Sequence, residues 1–312
     1  MGTYLVTGGA GFIGSHIVDQ LVELGESVRV LDDFTTGKIE NIEHNLDNIH
    51  LIRGSVADID TVRPAVEGAD FVLHHAALVS VPRSIDDPVA CNEANITGTL
   101  NILMAARDAR VKRVVYASSA SVYGDSPALP KVEYMPTNPL SPYALTKLAG
   151  EYYCRMFTKL YGLETVSLRY FNVFGPRQDP TSMYAACIPK FLRLMADDKQ
   201  PVIYGDGLQS RDFTFVSNAV SANLLACHQP GIGGEVFNIA CGQSYTLLDI
   251  VDFLNHTLGK SVNPTFEPAR PADVKHSLAD IQKAGSLLGF SPEVGLGEGL
   301  EKLASCHRGA NE

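Results

Sequence analysis

The sequence predicts an α/β protein: a Rossmann-type, doubly wound parallel sheet with a smaller α/β lobe. Three observations predict it. Short apolar runs alternate with helical periodicity as far as Arg169. A glycine-rich turn joins the first apolar run to the first helix. Beyond Arg169 the alternation gives way to Pro- and Gly-containing loops, short extended pieces and separated helices.

Taken in order, Thr3-Tyr4-Leu5-Val6-Thr7 is an apolar run that stops at Gly8. Ile13, Ile17, Val18, Leu21 and Val22 follow at helical spacing, so a strand at 3–7 leads into a helix at 12–25. Ser27-Val28-Arg29-Val30-Leu31 is the second strand, 27–31. Further strands are expected at 49–53, 70–75, 113–118 and 165–170, and helices at 58–67, 94–110 and 143–161. Extended pieces at 201–204, 212–216 and 236–239 belong to the later part. The expected division is a cofactor domain at 1–172 and a substrate lobe at 173–312, with 217–240 returning to the first domain as helix and strand. Ligands of such sheets collect at the carboxyl ends of the strands. Every motif below falls there or on the helix that follows.

Gly8, Gly11 and Gly14 form G-x-x-G-x-x-G, a variant of the dinucleotide fingerprint. Glycine lets the turn close, lets a pyrophosphate approach the backbone and lets the helix pack on the strand. The helix N-terminus then offers free N–H groups to the phosphates. Asp32 ends the second strand eighteen residues after Gly14, where a carboxylate would bond the adenosine ribose hydroxyls. It would repel a 2′-phosphate, and no basic residue follows until Lys38, so the expected cofactor is NAD rather than NADP.

Composition narrows the function classes. The 312 residues are 45% hydrophobic and 19% charged, which suits one or two globular domains. A net charge of -10 argues against non-specific nucleic-acid binding. No apolar run reaches membrane length and no signal peptide is evident, so a cytoplasmic protein is expected. The six cysteines, without a C-x-x-C, read as free thiols, and the nine histidines show no metal-ligand spacing. His74-His75 end a buried strand and read as packing near the cofactor, and no metal is expected.

Tyr143 and Lys147 lie four residues apart, on one face of a helix. A phenol titrates near pH ~10 and is a poor base until a cation favours its anion. Bringing it to ~7 needs about 4 kcal/mol. One charge at ~6 Å, with an effective dielectric near 20, supplies roughly 2.8 kcal/mol. The shortfall calls for a second cation, and oxidised nicotinamide is the candidate.

Together, the N-terminal glycines, Ser118-Ser119-Ala120-Ser121-Val122-Tyr123-Gly124, Ser141-Pro142-Tyr143-x-x-x-Lys147 and Leu168-Arg169-Tyr170-Phe171-Asn172-Val173-Phe174-Gly175-Pro176-Arg177 resemble the extended short-chain dehydrogenase/reductase superfamily. Within it they resemble the NAD-dependent nucleotide-sugar epimerases. The resemblance spans essentially the whole chain. It implies that Tyr143 is the base for a sugar C4 hydroxyl, that Lys147 holds the nicotinamide ribose, and that Ser119 bonds the reacting oxygen. It implies a cofactor lining of Gly8, Gly11, Phe12, Ile13, Gly14, Asp32, Asp33, Phe34, Thr35, Gly37, Ser55, Val56, His75, Ala76, Ala77, Val79, Asn95, Ser118, Tyr143, Lys147 and Tyr170. Among these, Ser118 reads either as a backbone-capping serine or as a nicotinamide contact, and Asn95 either as an active-site residue or as a helix cap. Family members commonly carry an Asp after the third strand's glycine for the adenine. Here Gly54 precedes Ser55, so Ser55 substitutes or Asp58 reaches in. Tyr123 reads as a packing aromatic rather than a chemical group.

For the substrate the resemblance implies a UDP-sugar. Arg211 and Arg270 would clamp the diphosphate, Asp273 would bond a ribose hydroxyl, and Val202 and Tyr204 would line the uracil slot. Ser80, Ser119, Ala120, Tyr143, Asn172 and Ile188 complete the expected contacts. The related 4,6-dehydratases carry Asp-Glu where Ala120 and Ser121 stand, which disfavours dehydration. Ser277 occupies a hexose-pocket position that is a bulky tyrosine in some epimerases, so room is expected for an N-acetyl group. The expected reaction is C4 epimerisation of a UDP-hexose or UDP-N-acetylhexosamine through a 4-keto sugar. Alternatives are a UDP-glucuronate 4-epimerase, a decarboxylase or reductase of the same superfamily, or an NAD-binding sensor. The resemblance also implies a homodimer built from the helices at 94–110 and 143–161, with Met104, Cys154, Phe157 and Leu160 either at that interface or in the core.

Overall fold

The near-continuous apolar runs become strands of a sheet covered on both faces, the burial that parallel sheets require. The computed structural model describes residues 1–179, 187–269 and 275–309. Seven strands form the central sheet: β1 (Thr3–Thr7), β2 (Ser27–Asp32), β3 (Ile49–Arg53), β4 (Phe71–His74), β5 (Arg113–Ser119), β6 (Glu164–Tyr170) and β7 (Glu235–Ile239). Their order is β7-β6-β5-β4-β1-β2-β3, parallel throughout. The order reverses between β1 and β4, which is where a doubly wound sheet opens its ligand crevice.

Alternate side chains go to opposite faces. Val6, Val30 and Val115 join Ile17, Val18 and Leu21 of the helix Phe12–Glu23 and Ala219 and Ala222 of the helix Val216–His228. Leu5, Leu31, Val72 and Val114 join the helices Ile59–Val66, Gly98–Asp108 and Pro142–Tyr161 on the other face. Cys154 and Phe157 lie in this second core. The first core continues without a break into the later part of the chain, through Phe174, Phe213, Ile250, Leu254 and Leu300.

Two predicted elements differ. The helix expected at 94–110 starts as a π-helical turn, Glu93–Thr97, before the α-helix Gly98–Asp108. Such widened turns cluster at functional sites, and this one holds Asn95. The extended piece expected at 212–216 is two strands with different partners. Ser210–Asp212 runs antiparallel to Ser244–Thr246, whereas Thr214–Phe215 runs parallel to Val173–Phe174 and leads directly into the helix at Val216. Val202–Tyr204 pairs with Thr265–Glu267.

Candidate active site

The glycine turn leaves no room for side chains. Gly8 has φ +67°, and a Cβ there would lie 2.7 Å from the Ala76 nitrogen. A Cβ on Gly14 would lie 2.1 Å from the Gly8 carbonyl oxygen. Gly11 is the N-cap of Phe12–Glu23 and supplies no side-chain cap, which leaves the leading amides to an anion. Phe12 and Ile13 pack against the core below the turn.

Asp32 is buried at the end of β2. Its Oδ2 accepts from Ala10 N and its Oδ1 from Phe34 N, both at 2.9 Å. A carboxylate accepts about four hydrogen bonds, so two positions remain for ribose hydroxyls. Burial raises its pKa, against the pull of the Phe34 and Ala10 amides. A Cβ on Gly37 would come within 2.6 Å of Oδ1, which accounts for glycine in the loop that wraps it. Asp33 is exposed and accepts from Thr35 N at 2.9 Å. The residues here therefore fit a dinucleotide: a backbone cradle with no space for a Cβ, then a carboxylate with spare acceptors.

Linear spacing missed a cation at this end. Arg53, in register with Asp32, lays its guanidinium 4.6 Å from the centroid of the Phe34 ring. The two candidate adenine contacts serve local turns. Asp58 caps the helix Ile59–Val66, accepting from Asp60 N at 3.0 Å and Thr61 Oγ1 at 2.6 Å. Ser55 Oγ accepts from Ala57 N at 3.2 Å. Val56 is buried against Gly98.

β5 lies three strands from β2, a span of about 14 Å across the carboxyl edge of the sheet. Next to it runs the helix Pro142–Tyr161, capped by Ser141 Oγ, which accepts from Ala144 N at 3.1 Å. Tyr143 N donates to Ser84 Oγ at 3.2 Å, anchoring the first turn. Gly150 lets the helix settle on Tyr116, because a Cβ there would lie 2.2 Å from the phenol oxygen. Lys147 Nζ donates to the Ala117 carbonyl at 2.7 Å and stands 6.0 Å from the Tyr143 ring centroid. Ser119 Oγ accepts from Ser121 N at 3.1 Å, and its hydroxyl lies close enough to Tyr143 to favour the phenolate. Tyr143, Lys147 and Ser119 are thus brought together.

Burial works against both partners of the Tyr–Lys pair. It raises the Tyr143 phenol above its ordinary value, opposed by the Ser119 hydroxyl. It lowers Lys147 to about 8. Lys147 therefore loses its proton before the phenol does, and these residues alone do not produce a phenolate at neutral pH. This deepens the shortfall expected from the charge estimate.

Several predicted residues have other partners. Ser118 is buried, and its hydroxyl donates to Glu151 Oε1 at 2.5 Å rather than capping backbone. Glu151 is paired in turn with Arg169, at 2.7 and 2.8 Å. Asn95 does not cap a helix. Its Oδ1 accepts from Leu78 N at 2.7 Å, and its Nδ2 donates to Leu78 O at 3.1 Å and Thr146 Oγ1 at 2.9 Å. It clamps the turn after β4, which holds Ala76 and Ala77, to the helix of Tyr143. Val79 in that turn is exposed, and Ser80 Oγ caps the helix Val81–Asp86. His75 stacks on Tyr170 at 6.0 Å, and both bond Asn223. His74 is held between Thr7 and Thr99 at 2.8 and 3.0 Å. Burial brings His74 down to about 3 and His75 to about 4, so both are neutral. Tyr123 is buried with its hydroxyl on Asn238 at 2.6 Å.

Of the residues expected at the substrate, Asn172 adopts φ +36° and donates to the Asp212 carbonyl at 2.8 Å. Arg211 donates through one terminal nitrogen to Ser210 O and Lys275 O, at 2.9 and 3.1 Å. Ser277 is half-buried, with its amide on Ser210 O at 2.9 Å. Val202 and Tyr204 share the half-exposed face of their strand, while Ile203 points into the core. Ala120 opens the short turn after Ser119 and is half-buried. Ile188, expected at the nucleotide, is instead a core side chain, because the helix Cys187–Ala196 turns it inward with Phe191 and Leu192. Arg270 and Asp273 lie outside the described residues.

The chain is similar to known proteins along nearly its whole length. Residues 4–240 match the model of the NAD dependent epimerase/dehydratase family. The chain is 38% identical over 312 residues to a UDP-glucose 4-epimerase of Mycolicibacterium smegmatis, covering 99% of each chain. It superposes with a TM-score of 0.94 on a UDP-N-acetylglucosamine 4-epimerase from Methanobrevibacter ruminantium M1 in complex with UDP-N-acetylmuramic acid, at 39% identity over 99% of both chains. A UDP-glucose 4-epimerase of Thermotoga maritima with UDP-glucose also gives 0.94, at 36% identity over 99% of this chain and 100% of that one. The chain belongs to the NAD-dependent epimerase/dehydratase family.

Proposed function

We propose that this protein inverts C4 of a UDP-hexose or UDP-N-acetylhexosamine. The carrying observation is that Tyr143, Lys147 and Ser119 meet at the end of β5, on the same sheet edge as the glycine cradle and Asp32. Tyr143 takes the C4 hydroxyl proton, and the Ser119 hydroxyl bonds the same oxygen. Lys147, oriented by the Ala117 carbonyl, stabilises the phenolate and holds the nicotinamide ribose. Bound NAD supplies hydride acceptance at C4 and return of that hydride to the opposite face. The 4-keto sugar turns over between these steps and takes its proton back from Tyr143, so no net redox change results.

The segments carrying Asn172, Val202, Tyr204, Arg211 and Ser277 form the nucleotide-sugar side, with Arg211 on the diphosphate. A serine at 277 leaves room for a C2 N-acetyl group. The M. ruminantium and T. maritima relatives, named for the N-acetylated and the plain sugar, support this breadth.

The reading includes a cytoplasmic homodimer. Leu145, Tyr152, Met156 and Leu160, 44–65% exposed, form a stripe along the helix Pro142–Tyr161 that a second copy would cover. Among the described residues no helix is long and apolar enough to cross a membrane.

Incubation of purified protein with UDP-glucose, UDP-N-acetylglucosamine and UDP-glucuronate, without added NAD, tests the reading. Conversion of the first two to their 4-epimers without accumulation of NADH is expected. Turnover of the plain hexose alone refutes the N-acetyl reading, and net NADH or loss of CO2 refutes epimerisation.

A further inference from the structure

The substrate side contains a buried carboxylate with no assigned role. Asp212 ends the strand Ser210–Asp212 and is 0% exposed. Its Oδ1 accepts from Cys241 N at 2.9 Å, and its Oδ2 from Gly242 N at 3.0 Å and Ala279 N at 3.2 Å. The Gln243 backbone adds a further contact. Its own carbonyl accepts from Asn172 Nδ2 at 2.8 Å. Among the described residues, backbone amides rather than a cation meet the carboxylate.

These contacts join separate segments. Cys241 and Gly242 follow β7 and so belong to the edge of the cofactor sheet. Ala279 lies two residues beyond Ser277, and Ser277 N bonds Ser210 O at 2.9 Å. Asp212 itself follows Arg211. Of the three residues assigned above to the sugar nucleotide, Asn172 is tied to the Asp212 backbone carbonyl, while Arg211 precedes the carboxylate-bearing residue and Ser277 lies two residues from its partner Ala279. An ionised carboxylate accepts at every lone pair, so it can take several converging N–H groups without a competing donor. Burying it is costly, and burial pushes its pKa up to about 6. A cross-link of neutral groups would avoid that cost.

We infer that Asp212 is a positioning residue for the nucleotide-sugar site, fixing the loops of Asn172, Arg211 and Ser277 to one another and to the end of β7. This rests on the UDP-sugar reading above. It acts on binding rather than on proton transfer, because its hydrogen bonds go to Asn172, Cys241, Gly242 and Ala279 and not to Tyr143, Lys147 or Ser119.

The test is Asp212→Asn, which keeps the shape and sets an N–H2 group against a backbone N–H. Binding of UDP is measured by calorimetry on wild type and variant, both carrying NAD. The expected loss of UDP affinity is about ten-fold or more. KM for the UDP-sugar should rise while kcat at saturation and NAD content change little, a split that general destabilisation would not give. Wild type that fails to bind UDP refutes the UDP-sugar reading itself. Wild type that binds UDP, beside a folded variant that binds it within about two-fold, overturns the role of Asp212. Should the variant not fold, hydrogen exchange on wild type decides. UDP should slow exchange of the Cys241, Gly242 and Ala279 amides, and unchanged rates overturn the inference.

Discussion

Replacing Lys147 by Met removes the charge beside Tyr143 while keeping most of the side-chain length. The ammonium stands 6.0 Å from the ring centroid. At an effective dielectric near 20 that separation is worth about 2.8 kcal/mol, or roughly 100-fold in the phenolate equilibrium. Turnover at pH 7 should fall by that factor, and by more if ribose contacts are also lost. Lys147 titrates at about 8, so its charge is present at neutral pH and is lost as pH rises through that value. The wild type should show an alkaline decline in kcat near there, and the variant should lack it. The assay is kcat against pH with saturating UDP-sugar, alongside melting temperature and bound NAD. Those controls matter because the Ala117 carbonyl loses its donor, which costs ~1–3 kcal/mol of stability if the group stays buried. A folded, NAD-bound variant with kcat within about three-fold of wild type and the same alkaline decline would refute the electrostatic role.

Tyr143→Phe should abolish nearly all turnover while leaving NAD content unchanged; measurable epimer at a wild-type rate sinks the base assignment. Ser277→Tyr should lower kcat/KM for the N-acetylated sugar by about ten-fold or more and spare the plain hexose, read in a competition assay. Acid stability should follow the buried histidines. His74 and His75 have folded values of about 3 and about 4, below the ordinary 6.5, so only the unfolded chain takes up their protons as pH falls from 6.5. Each then removes about 1.4 kcal/mol of stability per pH unit until its folded value is reached. Denaturant melts between pH 7 and 4 measure this slope, and His75→Gln should lessen it.

Local features were legible because they are encoded within a turn or two of chain. The apolar runs and helical spacings located the strands of the central sheet to within a residue or so, β7 included. The glycines are a steric requirement of the turn, since Gly8 has φ +67° and a Cβ on Gly14 would meet the Gly8 backbone directly. Asp32 and the Tyr143–Lys147 pair follow from strand end and helix period. The helix expected at 94–110 is present, but apolar spacing could not show that its first turn, Glu93–Thr97, is π-helical. Asn95 is held there by Leu78 and Thr146, which are 17 and 51 positions away.

Chemistry in this chain, as residue types in order, was set by the sequence alone: the dinucleotide cradle, the carboxylate at the end of β2, the phenol–ammonium pair and the serine opposite. Tertiary structure alone decided how those groups are tuned and held. It buried Lys147 and half-buried Tyr143, shifting both the wrong way for an unaided base, and it turned Ser118 to Glu151 and Ile188 into the core. It set Arg53 on Phe34 and gathered three distant amides onto Asp212. The physical reason is range. Propensity and sterics act between neighbours in the chain, whereas burial and convergent hydrogen bonds depend on segments that only packing brings together.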